Sequence, residues 1–220
     1  MRILTQAIAP GSELDEAALC EEYALSRTPM REIFQRLAGE GYLTQEQNRA
    51  TRVASMDLGA LRMFFQTAPM IYANIARLAA ENRRSDELPA LKDIQSQFRT
   101  AAEAGDAGQA AILNHAFHEQ IGRMSHNPYL LVALKRMLID HTRLSQTFYR
   151  PATQDDATRV TKAVEQHEAM IVAIERQHSA LALDLTLDHW NLTSDRLERF
   201  VQPDPLPIDV LPLKDRTHAI

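Results

Sequence analysis

The chain has 220 residues, of which 45% are apolar and 24% are charged, and its formal net charge is −5. This composition is typical of a water-soluble globular protein with one or two domains. No run of about 18 apolar residues predicts a membrane-spanning helix, and the amino terminus does not resemble a secretory signal peptide. The single cysteine, Cys20, excludes an internal disulfide framework. We therefore expect a cytoplasmic protein that does not engage a membrane.

Residues 26–37 predict an amphipathic helix with an apolar back and a basic front. Its apolar positions recur with the helical period: Met30, Ile33, Phe34 and Leu37. Ser26 or Thr28 is expected to cap the first turn, and Arg27 and Arg31 fall on the opposite face. An arginine at the front of a helix docked in the major groove bonds guanine O6 and N7 together, which discriminates by about 1–3 kcal/mol.

The neighbouring segments predict a winged helix-turn-helix. Residues 15–23 are expected to form a short amphipathic helix before the basic one. Gly39 and Gly41 suit the carboxyl-terminal end of the basic helix. Two short strands are expected further on, at residues 42–45 and 50–53, with a polar wing tip between them. The order of helix, turn, basic helix and hairpin is that of a DNA-binding motif.

Residues 8–53 resemble the winged helix-turn-helix of GntR-type bacterial transcription regulators. The matching residues are Pro10-Gly11, Leu14, Leu19, Ser26-Arg27-Thr28-Pro29-Met30-Arg31-Glu32, Leu37, Glu40-Gly41 and Val53. The resemblance implies that the chain binds double-stranded operator DNA through six residues: Ser26, Arg27, Thr28, Arg31, Gln47 and Arg49.

Two departures from the family pattern bear on this prediction. Only residues 1–9 precede the Pro-Gly turn, where the family usually has a full helix. The wing also carries Asn48, Arg49 and Ala50, where the family usually has a glycine, although Asn tolerates left-handed backbone. A domain shortened in this way keeps a second interpretation open, namely an interaction protein that no longer binds DNA.

From residue 57 onward the pattern is helical. Six helices are predicted, near residues 57–83, 86–104, 107–125, 128–149, 155–177 and 179–200. The proline-rich residues 201–220 predict an extended or disordered tail. The expected fold class is therefore mainly α, with the winged helix-turn-helix over residues 1–56 and an all-α antiparallel helical bundle over residues 57–200.

The spacing of the histidines predicts a metal site in this bundle. Asn114 and His118 are four residues apart on one predicted helix and share a face, and His167 and His189 lie on two later helices. Three imidazoles and one oxygen donor suit Zn²⁺, Ni²⁺ or Mn²⁺ and leave positions open for water or a carboxylate. Four other histidines are expected beside these ligands or at the surface: His115, His126, His141 and His178.

Residues 57–200 resemble the FCD ligand-binding domain of the FadR branch of GntR regulators. The matching segments are Asn114-His115-Ala116-Phe117-His118, Ser125-His126-Asn127-Pro128, Glu165-Gln166-His167 with Ile171 and Ala173-Ile174, and Ala182 with His189. The resemblance implies a divalent metal, Zn²⁺ ahead of Ni²⁺ or Mn²⁺, on Asn114, His118, His167 and His189. The family usually has Asp where this chain has Asn114, which lowers the expected metal affinity and favours an anionic ligand. A metal-free polar pocket is the alternative.

The resemblance also implies a small organic acid as effector. Arg143 is the best candidate for a clamp on its carboxylate, although a surface arginine is almost as good an interpretation. Asn191 and Thr193 follow His189 and are expected to line the pocket, whereas Trp190 is expected to pack outward.

The sequence thus predicts a homodimeric, ligand-responsive transcription regulator, and a repressor in particular. A metal-dependent hydrolase that uses the same three histidines is the enzymatic alternative. Its only obvious bases are Glu119 and Glu168, which adjoin two of the predicted ligands. Neighbours on a helix point about 100° apart, so neither carboxylate is well placed to activate a metal-bound water.

Overall fold

The structure is a computed structural model that describes residues 1–45 and 50–194. The predicted DNA contacts Gln47 and Arg49 lie outside the described residues, as do the predicted tail and the last residues of the sixth predicted bundle helix. Thr193 is placed within a helix, but its side chain is not described.

The amino-terminal unit is a helix-turn-helix with a small sheet. Its elements are α1 (Glu16–Glu22), α2 (Arg27–Glu40), β1 (Leu43–Thr44) and β2 (Arg52–Val53). The Asp15 carboxylate caps α1 by accepting hydrogen bonds from two backbone amides. Gly41 ends α2 with a φ of 90°, a left-handed conformation that glycine adopts without steric cost.

A third extended segment, which the sequence did not predict, pairs with the two-stranded sheet. β1 and β2 pair antiparallel, and Glu13 forms a bridge to Arg52 on the other side of β2. The small core beneath this sheet and α2 consists of Met30, Phe34, Leu43 and Val53. Ile33, predicted on the buried face of α2, is 41% exposed. This core packs against the apolar side of α2 and leaves the basic side of the helix facing away from it.

The second unit is the expected bundle of antiparallel helices. Its helices are α3 (Leu58–Asn82), α4 (Leu88–Glu103), α5 (Ala107–Met124), α6 (Pro128–Phe148), α7 (Gln154–Glu175) and α8 (Ser179–Ser194), with a 3₁₀ turn at Ser85–Glu87. Helix starts lie within two residues of the predicted ones, because caps such as Asp57, Asp106 and Asn127 mark them in the sequence. The mainly α fold class is confirmed.

Helix α3 packs against α5, α6, α7 and α8, and its apolar residues form the middle of the main core. The core is closed by residues of the later helices, including Phe117, Leu138 and Ile174, each at most 1% exposed. Within the described part of the chain, no helix combines the length and the apolar character needed to span a lipid bilayer. Four of the polar side chains buried in this bundle are histidines whose rings lie close together: His118, His141, His167 and His189.

Candidate functional site

Three buried histidines converge from three helices of the bundle. His118 lies on α5, His167 on α7 and His189 on α8, and each is at most 4% exposed. One ring nitrogen from each lies within 4.8 Å of the others. The ring centroids of His167 and His189 are 4.6 Å apart, and that of His118 lies 5.3 Å from His167. The structure thus brings together the three histidines that the sequence singled out.

The hydrogen bonds of Gln95 fix which nitrogen of His167 carries the proton. The Gln95 amide donates from Nε2 to the Val164 carbonyl at 3.1 Å, so its Oε1 is the atom that faces His167 Nδ1, at 3.0 Å. That oxygen can only accept, so Nδ1 carries the hydrogen and Nε2 of the neutral ring has a lone pair. Nδ1 of His189 also faces an amide oxygen, Oε1 of Gln166 at 3.0 Å, which can likewise only accept, so this ring too carries its hydrogen on Nδ1.

The two Nε2 lone pairs face each other inside the core. His167 Nε2 and His189 Nε2 are 3.2 Å apart, and neither carries a hydrogen to donate to the other. Two nitrogens that ligate one ion at about 2.0–2.1 Å stand about 2.9–3.4 Å apart at octahedral or tetrahedral angles. The separation therefore suits two ligands of one cation.

Two further buried atoms point to the same conclusion. Nε2 of His118 and Oδ1 of Asn114 have no hydrogen-bond partner among the described residues. Asn114 is 1% exposed and lies one helical turn before His118, on the same face of α5. Because an unsatisfied buried polar atom costs about 1–3 kcal/mol, these atoms fit a site that holds a metal ion.

A buried Tyr–His pair flanks the cluster. The Tyr72 hydroxyl on α3 lies 2.9 Å from Nδ1 of His141 on α6, and the His141 ring centroid is 5.3 Å from that of His118. Sequence reasoning passed over Tyr72 and Gln95, since a single polar residue on an apolar helix face carries no pattern. Trp190 was expected to pack outward, but it is 6% exposed and lies against Phe64 and Tyr72. That prediction was wrong because position 190 of α8 faces α3.

Burial keeps these histidines neutral. It lowers the pKa of His118 and His167 well below the ordinary value, with a further contribution from the neighbouring imidazoles. Burial lowers the pKa of His141 to about 3 and that of His189 to about 4. A neutral imidazole is the form that binds a metal ion, so the cluster keeps its ligand form in mildly acidic solution.

These pKa values predict acid sensitivity of the metal-free protein. The unfolded chain takes up protons on its histidines near pH 6.5, whereas the folded cluster does not, so the free energy of unfolding falls as the pH drops below about 6.5. Each buried histidine contributes up to about 1.4 kcal/mol per pH unit in this range. Urea unfolding of the chelator-treated protein at about pH 7.5 and about pH 5.5 measures the change. His141→Phe is expected to reduce the slope, and a free energy of unfolding that is independent of pH would contradict the interpretation.

Arg143 does not lie with the histidines. It follows His141 by two residues, which turns it by about 200° around α6. Its guanidinium is fully buried, donates from Nη1 to the Ala54 carbonyl at 3.1 Å and pairs with Asp140 at 3.2 Å. Its own carbonyl accepts a hydrogen bond from the Gln6 side chain. Arg143 thus joins the bundle to the amino-terminal unit through Nη1, while its buried Nε and Nη2 atoms have no hydrogen-bond partner among the described residues. Its role as an anion clamp stays a prediction.

The remaining predicted residues fall outside the cluster or at its margin. Asn191 is exposed and engaged with other residues, and the side chain of Thr193 is not described. Glu119 pairs with Arg123 at 2.7 Å and with Lys135 at 3.3 Å, and Glu168 pairs with Arg99. Both carboxylates are thus engaged in ion pairs.

The front of α2 is open to solvent. The residues predicted there are all exposed: Ser26, Arg27, Thr28 and Arg31. Ser26 occupies the N-cap position without a side-chain capping bond, so the predicted cap bond is absent there. The guanidinium of Arg31 lies 3.1 Å from the Glu16 carboxylate of α1, an exposed pair that stabilises the free protein by at most about 1 kcal/mol.

Comparison with known sequences places these two units in one family. The profile of the "Bacterial regulatory proteins, gntR family" domain matches residues 1–53, and the profile of the FCD domain matches residues 65–192. The chain belongs to the GntR family of bacterial regulators with a carboxyl-terminal FCD domain.

Similar proteins carry related names. The chain is 27% identical over 126 residues to the Nta operon transcriptional regulator of Aminobacter aminovorans, a match that spans 57% of this chain and 60% of that protein. It is 24% identical to the galactonate operon transcriptional repressor of Escherichia coli, over 86% of this chain and 89% of that one. The solved structure of E. coli McbR/YncC superposes with a TM-score of 0.76 at 19% identity, covering 91% of this chain and 93% of that one, which shows the shared fold.

The family assignment defines the general activity. The chain is a DNA-binding transcriptional regulator, as its named relatives are, and not an enzyme.

Proposed function

We propose that the chain is a homodimeric, cytoplasmic repressor that senses a small organic acid through a divalent metal ion bound by the histidine cluster. Zn²⁺ is the ion we favour, with Ni²⁺ and Mn²⁺ as alternatives. The observation that carries the proposal is the pair of facing Nε2 lone pairs of His167 and His189, 3.2 Å apart in the core. When bound, the ion acts as a Lewis acid with an open position for a carboxylate.

The proposed ligands of the metal are one amide oxygen and three neutral imidazoles: Asn114, His118, His167 and His189. Because none of these side chains carries a charge, the site keeps the whole double charge of the ion in an apolar core. An anionic fourth or fifth ligand offsets that charge. This charge balance supports an organic acid as the effector, as does the name of the relative that represses a galactonate operon.

The DNA-binding surface consists of the exposed front of α2. Arg27 and Arg31 supply the groove contacts in the proposal, with Ser26 and Thr28 beside them at the start of the helix. A homodimer presents two such helices to a pseudo-palindromic operator. The chain as a whole is acidic, so we expect a modest dependence of its affinity on salt.

Consecutive residues of α6 connect the two sites. The Thr142 hydroxyl lies 2.7 Å from His115 on the ligand-bearing helix, and Arg143 bonds the Ala54 carbonyl at the end of the DNA-binding unit. A ligand that displaces His141 or its neighbours shifts both contacts. The ligand changes the affinity for DNA only if it binds the DNA-competent and the DNA-incompetent arrangements of the protein with different affinity. DNA then changes the affinity for the ligand by the same factor.

Titration of the chelator-treated full chain with Zn²⁺ in a calorimeter tests the metal site. We expect one ion per chain. Gln95→Leu removes the hydrogen bond that orients His167, and loss of such a partner lowers metal affinity by about 10- to 100-fold. Gln97→Leu is the matched control, since Gln97 lies about half a turn further along α4, on its exposed face, and bonds Asp93. Absence of binding, or equal affinity in both variants, would favour the metal-free pocket.

A further inference from the structure

A cavity of about 120 Å³ adjoins the histidine cluster. It lies among α3, α6, α7 and α8, and its walls include the rings of Phe64, Phe65 and Trp190. The ring centroids of the two phenylalanines lie 5.5 Å and 6.0 Å from that of Trp190. His141 closes the inner end, with its Nδ1 bonded to Tyr72. The cavity is therefore aromatic along its sides and meets the cluster at one imidazole.

One cation at the rim has no partner within the described part of the chain. Arg150 follows the end of α6, lines the cavity and is exposed, and its guanidinium makes no bond or ion pair there. The other charged groups at the rim are engaged. Arg159 lies 3.4 Å from Asp155, and the Asp156 carboxylate accepts hydrogen bonds from two backbone amides at the start of α7.

We infer that this cavity holds the ring of an aromatic monocarboxylate, with the carboxylate at Arg150. The inference names the ligand class of the sensor proposed above and so rests on that proposal. An engineered apolar cavity of about 150 Å³ binds benzene, so a single ring is the right size. The carboxylate at the rim stays partly hydrated and pairs with the guanidinium of Arg150.

The same walls disfavour a polyhydroxylated acid such as gluconate. The hydroxyl partners in the cavity lining are few, and that of Ser145 already donates to the His141 carbonyl at 2.8 Å. Each sugar hydroxyl buried against a ring without a partner costs about 1–3 kcal/mol. Ligand selectivity in this chain is thus predicted to differ from that of a sugar-acid sensor.

Trp190 is the only tryptophan of the chain and lines the cavity, so its fluorescence reports binding directly. We would titrate the Zn²⁺-loaded full chain with benzoate, with the neutral isostere benzamide and with gluconate. Benzoate is expected to give a saturable change at concentrations at least about tenfold lower than the other two, a difference of about 1.4 kcal/mol or more. Gluconate binding as tight as benzoate binding would overturn the inference.

A variant pair isolates the rim cation. Arg150→Gln is expected to weaken benzoate about tenfold and to leave benzamide unchanged. Arg176→Gln, at the exposed end of α7 and outside the cavity, is the control. If Arg150→Gln has no effect while chelation of the metal abolishes benzoate binding, the carboxylate lies on the metal and the assignment to Arg150 is wrong.

The failure of this inference is distinguishable from failure of the proposed sensor. A preparation that binds Zn²⁺ and operator DNA but shows no response to benzoate overturns the ligand class alone. A preparation that binds benzoate with the expected selectivity but takes up no metal supports the cavity assignment and contradicts the metal-dependent sensor.

Discussion

Replacement of His167 by alanine is expected to lower the affinity of the protein for Zn²⁺ by about 100-fold or more, because loss of even an outer-sphere partner costs about 10- to 100-fold. His167 is fully buried, stacks on Phe117 with ring centroids 3.9 Å apart and supplies an Nε2 lone pair to the cluster. Calorimetric titration of the chelated protein with Zn²⁺ measures the loss.

The stacked position of His167 requires a second variant, because alanine also leaves a void beside Phe117. His167→Gln fills more of that space, and far-UV circular dichroism verifies that both variants fold. His178→Ala, at the exposed turn between α7 and α8, is the matched control and should bind Zn²⁺ as the parent does. A folded His167→Gln protein with parental Zn²⁺ affinity would refute the assignment of the site.

Arg31→Ala is expected to weaken operator binding by about 5- to 150-fold for each copy in the dimer, which corresponds to about 1–3 kcal/mol per base contact. Its guanidinium is exposed on the front of α2 and gives up only a surface ion pair with Glu16 on binding. Fluorescence anisotropy with labelled DNA from the gene's upstream region measures the change.

Arg36→Ala provides the control for this second prediction. Arg36 is the more exposed of the two arginines and pairs with Glu40 at the far end of the same helix. It should change the affinity little. If Arg31→Ala lowers affinity for upstream and scrambled DNA equally, Arg31 contacts phosphate and does not read bases. If it changes neither, the recognition surface lies elsewhere.

The helices and the three histidines of the cluster were predictable from the sequence because each leaves a periodic or capped signal. Asp57, Asp106 and Asn127 mark helix starts, and the four-residue spacing of Asn114 and His118 places both on one face. Distances between helices were not predictable in this way. The approach of His167 to His189 depends on how α7 packs on α8, which no local pattern encodes.

Side-chain direction on the bundle helices was the feature hardest to predict from the sequence. The guanidinium of Arg143 is directed to the Ala54 carbonyl, a contact that no local spacing reveals. Trp190 was predicted to pack outward because it adjoins a ligand, yet it packs inward. Both helices have two buried faces, so helical periodicity does not separate an inner face from an outer one.

The proposed sensor requires that the histidine cluster and the DNA-binding face of α2 are thermodynamically linked. Anisotropy titrations of upstream and scrambled DNA, at low and physiological salt and with and without Zn²⁺, measure this linkage. We expect selective binding of the upstream DNA by the parent protein, an affinity that Zn²⁺ changes, and no effect of Zn²⁺ on His167→Gln. Equal weak binding to both DNAs, or an affinity that Zn²⁺ leaves unchanged in the parent protein, would contradict it.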